Sequence, residues 1–408
     1  MRSHKLTYYF TTIRAPVTTS PALLSSPAIP RFLHLFLVSL AVRFGTVALG
    51  VWLATLPPRV IPSDDPAAVE VRQRITDSGA QVIEPWYQWD AVWMVNIARY
   101  GYSGATDRGG KLGVAFLPAM PATLALGESL SMNPFWFALV VVNLIGAVGV
   151  ALFARVSARL LNDYAAGWRT LALLLTFPTA FFYSAPYNES FGLLFTALAL
   201  TGWLANRPVL AGVAALGGSL ARMTGVALGG GAALDWLIKR DHRDLWRAVC
   251  VTAGSIAGLA IFWGFLWWVV GNPFAGLKSQ VMWGRRELSV WNPFYAIESI
   301  YDPDLIRPDR ARHFGWEAVV VFAFTFLGIR TWWKRGTFWG VLTLVPIAQM
   351  FASGTLLSAN RVILASLPAF IELADLLRQR LFFAATILGF GFAQFLLLHR
   401  YVHTQFAG

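Results

Sequence analysis

The sequence predicts an all-α protein that crosses a membrane many times. Hydrophobic residues make up 56 % of the 408 residues and charged residues only 13 %, whereas soluble domains carry roughly 25 % charge. Apolar runs long enough to span a bilayer recur along the chain. The net charge is +12. In so apolar a chain, this excess indicates basic cytoplasmic loops rather than nucleic-acid binding, so we expect no nucleic-acid partner.

The predicted spans follow one another from near the N-terminus. Residues 1–31 mix basic residues with Ser, Thr and Pro and lack the apolar core of a signal peptide, so we expect a flexible cytoplasmic tail. The first span covers residues 32–56, and Arg43 in its middle should face protein or water rather than lipid. Eight more runs are predicted to cross: 134–158, 169–184, 189–205, 247–270, 314–330, 337–354, 361–377 and 381–398. We expect a single transmembrane domain over residues 32–400, with about 9–11 transmembrane helices.

Two apolar segments do not fit a simple crossing. Residues 114–131 are short and contain Pro118 and Pro121, and residues 208–237 are too long for one span and are interrupted near Arg222. Both are predicted to be hairpins or broken helices that enter the membrane and return. Such backbone is tolerated at membrane depth only where protein or a wet cavity covers it.

The basic residues predict the orientation. With a cytoplasmic tail and two returning segments, every short basic loop is cytoplasmic, and the long loops 57–113 and 271–313 are external. The C-terminal residues show no retention signal, which favours a prokaryotic plasma membrane. The single cysteine, Cys250, excludes a disulfide framework.

The first external loop contains an aromatic stretch with helical spacing. Trp89, Val92, Trp93 and Ile97 share one helix face and predict an amphipathic helix at the membrane interface. Asp90 lies at the start of this helix, where the helix dipole favours a carboxylate. It is either a helix cap or a functional acid.

Further charged residues lie near the predicted external boundary. Glu189 is a functional candidate because ionisable residues near membrane depth are rare, although a capping or snorkelling acid would occupy the same place. Arg222 lies at the helix interruption and needs a carboxylate or an anionic ligand as partner. Arg361 and, in the second external loop, Arg285 and Arg286 add positive charge. An external phosphate would explain them, and so would pairing with Glu287, Glu298 and Asp302.

Several kinds of site lack support in the sequence. A phosphate-binding loop with Lys-Ser/Thr is absent, which disfavours ATP-driven work. His399 and His403 are four residues apart but have no third ligand nearby. The external acids form no obvious ligand set, so we expect neither a metal nor another cofactor.

The order of the motifs resembles a known family. The motifs are Trp89-Asp90-Ala91, Ile97-Ala98, Gly101-Tyr102, Ala115-Phe116-Leu117-Pro118, Phe177-Pro178, Phe181-Phe182, Ser184-Ala185-Pro186-Tyr187, Glu189-Ser190, Leu220-Ala221-Arg222, Thr224-Gly225, Asn292-Pro293 and Asn360-Arg361. Together they resemble the PIG-V family, which comprises GPI mannosyltransferase 2 and its prokaryotic relatives. Leu117 and Asn188 depart from the residues that are common in that family.

The resemblance implies a GT-C glycosyltransferase that inverts a polyprenyl-phosphate-mannose donor on the external face. The acceptor is a glycolipid, a lipoglycan or a protein, and a glucose or arabinose donor would use similar phosphate contacts. On this chain the catalytic base is Asp90. Arg222, Arg285, Arg286 and Arg361 are the candidates for binding the donor phosphate. Trp89, Tyr102, Tyr187 and Glu189 are the candidates for binding the sugar or the acceptor.

Two other functions remain open at this point. A transporter of lipids or lipid-linked sugars would use the same groove and arginines without needing Asp90, although no repeat is visible in the sequence. A non-catalytic subunit of a glycosylation complex would also show these features.

Overall fold

A computed structural model describes residues 29–57, 65–104, 113–300 and 308–407. Helices make up 81 % of it, and these ranges contain no strand. Residues 1–28 of the predicted tail, and parts of both predicted external loops, lie outside the described residues. The predicted fold class is confirmed: the protein is an all-α polytopic membrane protein.

Seventeen α-helices follow one another in the described ranges. They are α1 (Phe32–Leu53), α2 (Pro66–Asp77), α3 (Asp90–Gly104), α4 (Ala119–Ser129), α5 (Pro134–Leu161), α6 (Tyr164–Thr176), α7 (Glu189–Leu204), α8 (Pro208–Ala221), α9 (Val226–Lys239), α10 (His242–Val270), α11 (Ala275–Lys278), α12 (Asn292–Glu298), α13 (Pro308–Arg335), α14 (Thr337–Ala352), α15 (Ala359–Val362), α16 (Leu367–Leu376) and α17 (Arg380–Val402). Short 3₁₀ turns join several of them.

Four described helices are long and apolar enough to cross a membrane: α1, α5, α10 and α17. Helices α7, α8 and α14 are apolar but have only 14 to 16 residues. At 1.5 Å per residue, such a helix extends for at most about 24 Å, less than the roughly 30 Å of a bilayer core. Short helices and turns covered by protein therefore make up part of the predicted spans, and the number of crossings stays a prediction.

The predicted interruption of segment 208–237 is confirmed. Helix α8 ends at Ala221, a 3₁₀ turn covers Met223–Gly225, and α9 begins at Val226. Both helices pack against the long helix α10. The turn is tight because a Cβ atom on Gly225 would lie 2.3 Å from the carbonyl carbon of Gly218.

Residues 114–131 form an interrupted helix, one of the two predicted forms, rather than a hairpin. The segment has a 3₁₀ turn at Gly113–Ala115 and one helix, α4, of 11 residues. A helix of that length reaches about 16 Å, less than the roughly 30 Å of a bilayer core. It packs between α3 and α5 without turning back on itself.

Two further parts of the predicted loops are partly described. In α3, every side chain from Ala91 to Ile97 is buried, whereas Arg99 and Tyr100 are exposed. Protein therefore covers the first half of this helix, and its place at a membrane interface stays a prediction. In the predicted loop 271–313, α13 begins at Pro308, before the apolar run starts. Proline at the first position of a helix costs no hydrogen bond.

The prediction that Arg43 faces protein or water rather than lipid is confirmed. It is 1 % exposed, and its Nη2 donates to the carbonyl of Val142 at 3.0 Å, to that of Tyr183, and to the hydroxyl of Ser190 at 2.8 Å. Its Nε donates to the carbonyl of Asn143 at 3.2 Å. These bonds tie α1 to α5 and to the chain that leads into α7.

The tight turn at Gly225 generates a stability prediction. Gly225→Ala should lower the apparent melting temperature in detergent, because the added methyl group meets backbone atoms that cannot move aside. Overpacking of this kind costs about 1–3 kcal/mol. Gly230→Ala is the matched control because a Cβ atom there meets nothing within 4 Å. Equal melting temperatures for the two variants would contradict this account of the turn.

Candidate active site

Four charged side chains meet where α3, α7 and α15 begin, beside the α8–α9 break. Asp90 is the first residue of α3 and Glu189 the first residue of α7, so both carboxylates lie at the positive end of a helix dipole. Arg361 belongs to α15, and Arg222 directly follows α8. We call these four residues the ion cluster.

Arg361 is the centre of the ion cluster. Its Nη1 donates to Oδ2 of Asp90, and its Nε donates to Oε1 of Glu189 at 2.5 Å. The guanidinium carbon lies 4.5 Å from the ring centre of Tyr187 and 5.1 Å from that of Phe182. Charge-assisted hydrogen bonds and cation–π contacts together fix its orientation.

Glu189 pairs with a second arginine. Nη1 of Arg222 lies 2.6 Å from the same Oε1 atom that Arg361 contacts, and the Glu189 side chain is fully buried. A carboxylate taken out of water is costly unless cations and hydrogen bonds compensate it. Glu189 therefore serves as a buried anchor for two guanidinium groups and is not positioned to exchange protons with solvent.

Asp90 differs from Glu189 in its exposure. Its side chain is 24 % exposed, and only Oδ2 is held by Arg361. Among the described residues, Oδ1 makes no hydrogen bond. One oxygen is thus anchored, and the other remains available to a hydroxyl group of a ligand.

Arg285 adds a positive charge next to the ion cluster. Burial lowers the pKa of its guanidinium, the attraction of Asp90 raises it, and the repulsion of Arg361 and Arg222 lowers it further. No carboxylate in the described part of the chain forms a salt bridge with it. Two acids and three arginines leave one positive charge in excess, which favours an anionic ligand.

Arg286 lies outside this group, although it is the next residue. Its guanidinium carbon stacks 3.9 Å above the ring centre of Tyr295, and its backbone N–H donates to the carbonyl of Ser353 at 2.9 Å. Arg285 and Arg286 were both candidates for phosphate binding, but their guanidinium groups have different surroundings in the structure.

Tyr187 packs against Arg361, the central residue of the ion cluster. It is fully buried, and its hydroxyl donates to the carbonyl of Gln88 at 2.7 Å. Its ring faces Arg361. Tyr187 thus holds both the start of α3 and the central arginine. Its hydroxyl proton is already donated to the backbone, and its contact with a sugar or an acceptor stays a prediction.

Trp89 lies at the edge of the ion cluster. Its φ of +54° places it in the left-handed region, which costs a residue with a side chain about 1–2 kcal/mol. This turn brings Asp90 into the first position of α3. The indole is 39 % exposed and meets Phe406 edge-on, with ring centres 6.3 Å apart. Trp89 is therefore accessible to a ligand that binds beside the ion cluster.

Tyr102 is not brought to the ion cluster. It follows Asp90 by 12 residues and lies just beyond a kink in α3 at Gly101, whose φ is +68°. The helical part from Asp90 to Tyr100 alone extends for about 15 Å. Its hydroxyl donates to the carbonyl of Phe116 at 2.8 Å, and its ring packs against Phe262 and Phe265. The residue belongs to a separate apolar core near the end of α10.

Asn188 has a role that sequence reasoning missed. Its Nδ2 donates to the carbonyl of Leu117 at 3.0 Å, and its Oδ1 accepts the backbone N–H of Met120 at 2.8 Å. It therefore fastens the start of α4 to the start of α7. In the sequence, only the departure of Asn188 from the PIG-V pattern indicated that this residue was unusual.

An apolar cleft opens beside Glu189 and Arg222. It lies between α7, the α8–α9 break, α14 and the turn before α16. The apolar part of its lining includes Leu193, Leu228, Leu342, Leu364 and Leu367. The cleft therefore joins a charged end to an apolar body.

Comparison with known families assigns a class to this arrangement. A family model described as the Alg9-like mannosyltransferase family matches residues 114–284. The chain is similar to mannosyltransferases. The match supports a glycosyltransferase embedded in a membrane, and it includes Glu189 and Arg222 of the ion cluster. It covers less than half of the chain and does not extend to Asp90, Arg285 or Arg361. No curated protein matches the chain.

The shared oxygen of Glu189 generates a prediction about stability. Glu189→Gln should destabilise the fold by about 3–5 kcal/mol, because it leaves two buried cations without their counter-charge. The double variant Glu189→Gln with Arg222→Gln should lose less than the sum of the two single losses, with a coupling of about 0.5–3 kcal/mol. Thermal unfolding in one detergent measures all three variants. Additive losses would show that the two side chains do not interact.

Proposed function

We propose that this protein is an inverting mannosyltransferase. It transfers mannose from a polyprenyl-phosphate-mannose donor to an extracytoplasmic glycolipid, lipoglycan or protein. The observation that supports this best is a partly exposed carboxylate, Asp90, anchored by Arg361 beside an excess positive charge. The PIG-V resemblance and the match to a mannosyltransferase family support the sugar and the reaction class.

The reaction needs one base and one site for an anion. Oδ1 of Asp90 accepts the proton of the acceptor hydroxyl as that oxygen attacks the anomeric carbon of the mannose. The bond from the anomeric carbon to the phosphate oxygen breaks, and polyprenyl phosphate leaves with the electron pair. The hydroxyl must lie within about 2.6–3.2 Å of the carboxylate. Attack opposite the leaving group inverts the anomeric configuration.

The arginines stabilise the leaving phosphate. Arg285 forms no salt bridge with an acid of the described residues, although Asp90 attracts it, and it adds a positive charge to the site. Arg361 uses Nε and Nη1 for its two acids, so its other donors remain for phosphate oxygens. Preorganised donors aimed at developing charge are the largest contribution in many enzymes. Arg222 lies at the mouth of the apolar cleft, next to the same phosphate.

In this proposal the lipid part of the donor enters at the apolar cleft, whose five leucines are each at most 3 % exposed and must move apart to admit a polyprenyl chain. Five leucines line it, and its charged end contains Glu189 and Arg222. A polyprenyl chain along this lining would place its phosphate at the ion cluster. The α8–α9 break forms one wall of the cleft, which gives that break a function.

Orientation and cofactor use belong to the same proposal. The basic loops support a cytoplasmic N-terminus, an external active face and a location in a prokaryotic plasma membrane. We propose that the transfer needs no metal or other cofactor. The described part of the chain contains no group of three potential metal ligands. Loss of transfer on adding EDTA would contradict metal independence.

The assignment of Asp90 generates the central prediction. Asp90→Asn should lower transfer from radiolabelled polyprenyl-phosphate-mannose by about 10²–10⁴-fold, because an amide cannot accept the proton. Donor binding and the melting temperature should change little. Asp77→Asn is the matched control: Asp77 lies in the same external loop, and its contact with Gln73 is exposed.

Three outcomes would distinguish the proposed function from its alternatives. Transfer by Asp90→Asn at the wild-type rate would exclude this residue as the base. A transporter would be indicated if wild type and variant both moved the labelled lipid across the vesicle membrane without transferring mannose. Activity that appears only after a second protein is added would indicate a subunit of a complex.

Arg285 and Arg286 provide a second test because they are neighbours with different surroundings. Arg285→Gln should lower kcat/KM for the donor by about tenfold or more, the usual effect of losing a charge-assisted bond of about 1.5–3 kcal/mol. Arg286→Gln should stay near the wild-type value, because its guanidinium packs on Tyr295. Equal losses in both variants would indicate a general effect of external charge.

A further inference from the structure

A second cleft lies at the opposite end of α5 and α7 from the ion cluster. Its lining comprises Ile29, which precedes α1, together with Leu152, Arg155, Val156, Arg159, Thr201 and Leu204 of the two helices. The α5 residues are three and four positions apart, so they form one helix face. Glu189 begins α7 and Leu204 ends it, which separates the two sites by about 22 Å.

The cleft contains two arginines without acidic partners. Arg155 and Arg159 are one helical turn apart and half-buried. Within the described residues, neither guanidinium forms a salt bridge or a hydrogen bond with protein. The Thr201 hydroxyl donates to the carbonyl of Ala197 at 2.7 Å. The arginines are therefore the only free donors that the lining side chains offer.

Two other arginines at this end of the molecule are paired with acids. Arg169 lies 2.7 Å from Asp163, and Arg247 lies 2.6 Å from Asp244. Arg155 and Arg159 form no such pair within the described residues, and they are half-buried beside apolar side chains. A guanidinium taken partly out of water gains more from an anionic partner than one that is fully exposed.

We propose that this cleft binds the phosphate headgroup of an anionic phospholipid. The two guanidinium groups contact the phosphate, and the first part of an acyl chain lies along Leu152, Val156 and Leu204. Basic pockets between membrane helices bind lipid headgroups in this way. The apolar lining favours a lipid over free phosphate, because a soluble anion gains nothing from leucine and valine side chains. The site is independent of the proposed transferase activity.

Native mass spectrometry of the full-length protein tests this proposal. The protein is placed in detergent with phosphatidylglycerol and phosphatidylcholine at equal concentrations. Wild type should retain phosphatidylglycerol preferentially. Arg155→Gln with Arg159→Gln should reduce that preference by about tenfold or more, given the usual contribution of each basic residue. Arg240→Gln with Arg243→Gln is the matched control, because it removes two exposed charges at the same end and should retain the preference.

A third variant keeps the test valid if the double variant does not fold. Leu204→Trp narrows the apolar part of the cleft and should also weaken lipid retention while leaving both arginines in place. The proposal is overturned if wild type shows no headgroup preference or if the control variant loses it equally. Displacement of phosphatidylglycerol by an equal concentration of inorganic phosphate would overturn the lipid as the occupant.

Discussion

The pairing of Arg361 with two carboxylates constrains the rest of the structure. Arg361 contacts Asp90 across 271 residues of sequence and Glu189 across 172. Charges removed from water cost several kcal/mol each unless their partners are correctly placed. The beginnings of α3, α7 and α15 must therefore meet at one point. Arg222 completes the compensation of Glu189, which requires α8 to end where it does.

The interruptions of the helices follow from the same constraint. Backbone groups at a helix end within an apolar environment need hydrogen-bond partners. Arg43 donates to the carbonyl of Tyr183 before α7 and to two carbonyl groups within α5, and Asn188 supplies one donor and one acceptor to the start of α4. Two polar side chains with no place in the proposed chemistry thus satisfy backbone groups at the starts of α4 and α7.

Pairing separates the arginines of this protein into two groups. Arg222 and Arg361 form salt bridges with carboxylates and hold the site together. No salt bridge with an acid of the described residues is formed by Arg285 or, at the far end of α7, by Arg155 and Arg159. A guanidinium without a carboxylate partner, in an apolar protein, binds an anion more favourably than one that is already paired. Both proposals made above, the donor phosphate at one end and the phospholipid at the other, depend on this distinction. Helix α7 connects the two sites.

Several features could be predicted from the sequence: the fold class, the interruption at Arg222, the protection of Arg43 from lipid and the residues that form the ion cluster. They depend on composition, on apolar run length and on the cost of isolated charges, all of which act locally. The sequence did not show the burial of the first half of α3, the distance of Tyr102 from the ion cluster or the different surroundings of Arg285 and Arg286. Tertiary packing sets these features, because burial depends on which helices cover a segment and pairing depends on distance in space. Arg285 and Arg286 are adjacent in the chain, yet only the packing of Tyr295 and the position of Asp90 make them different.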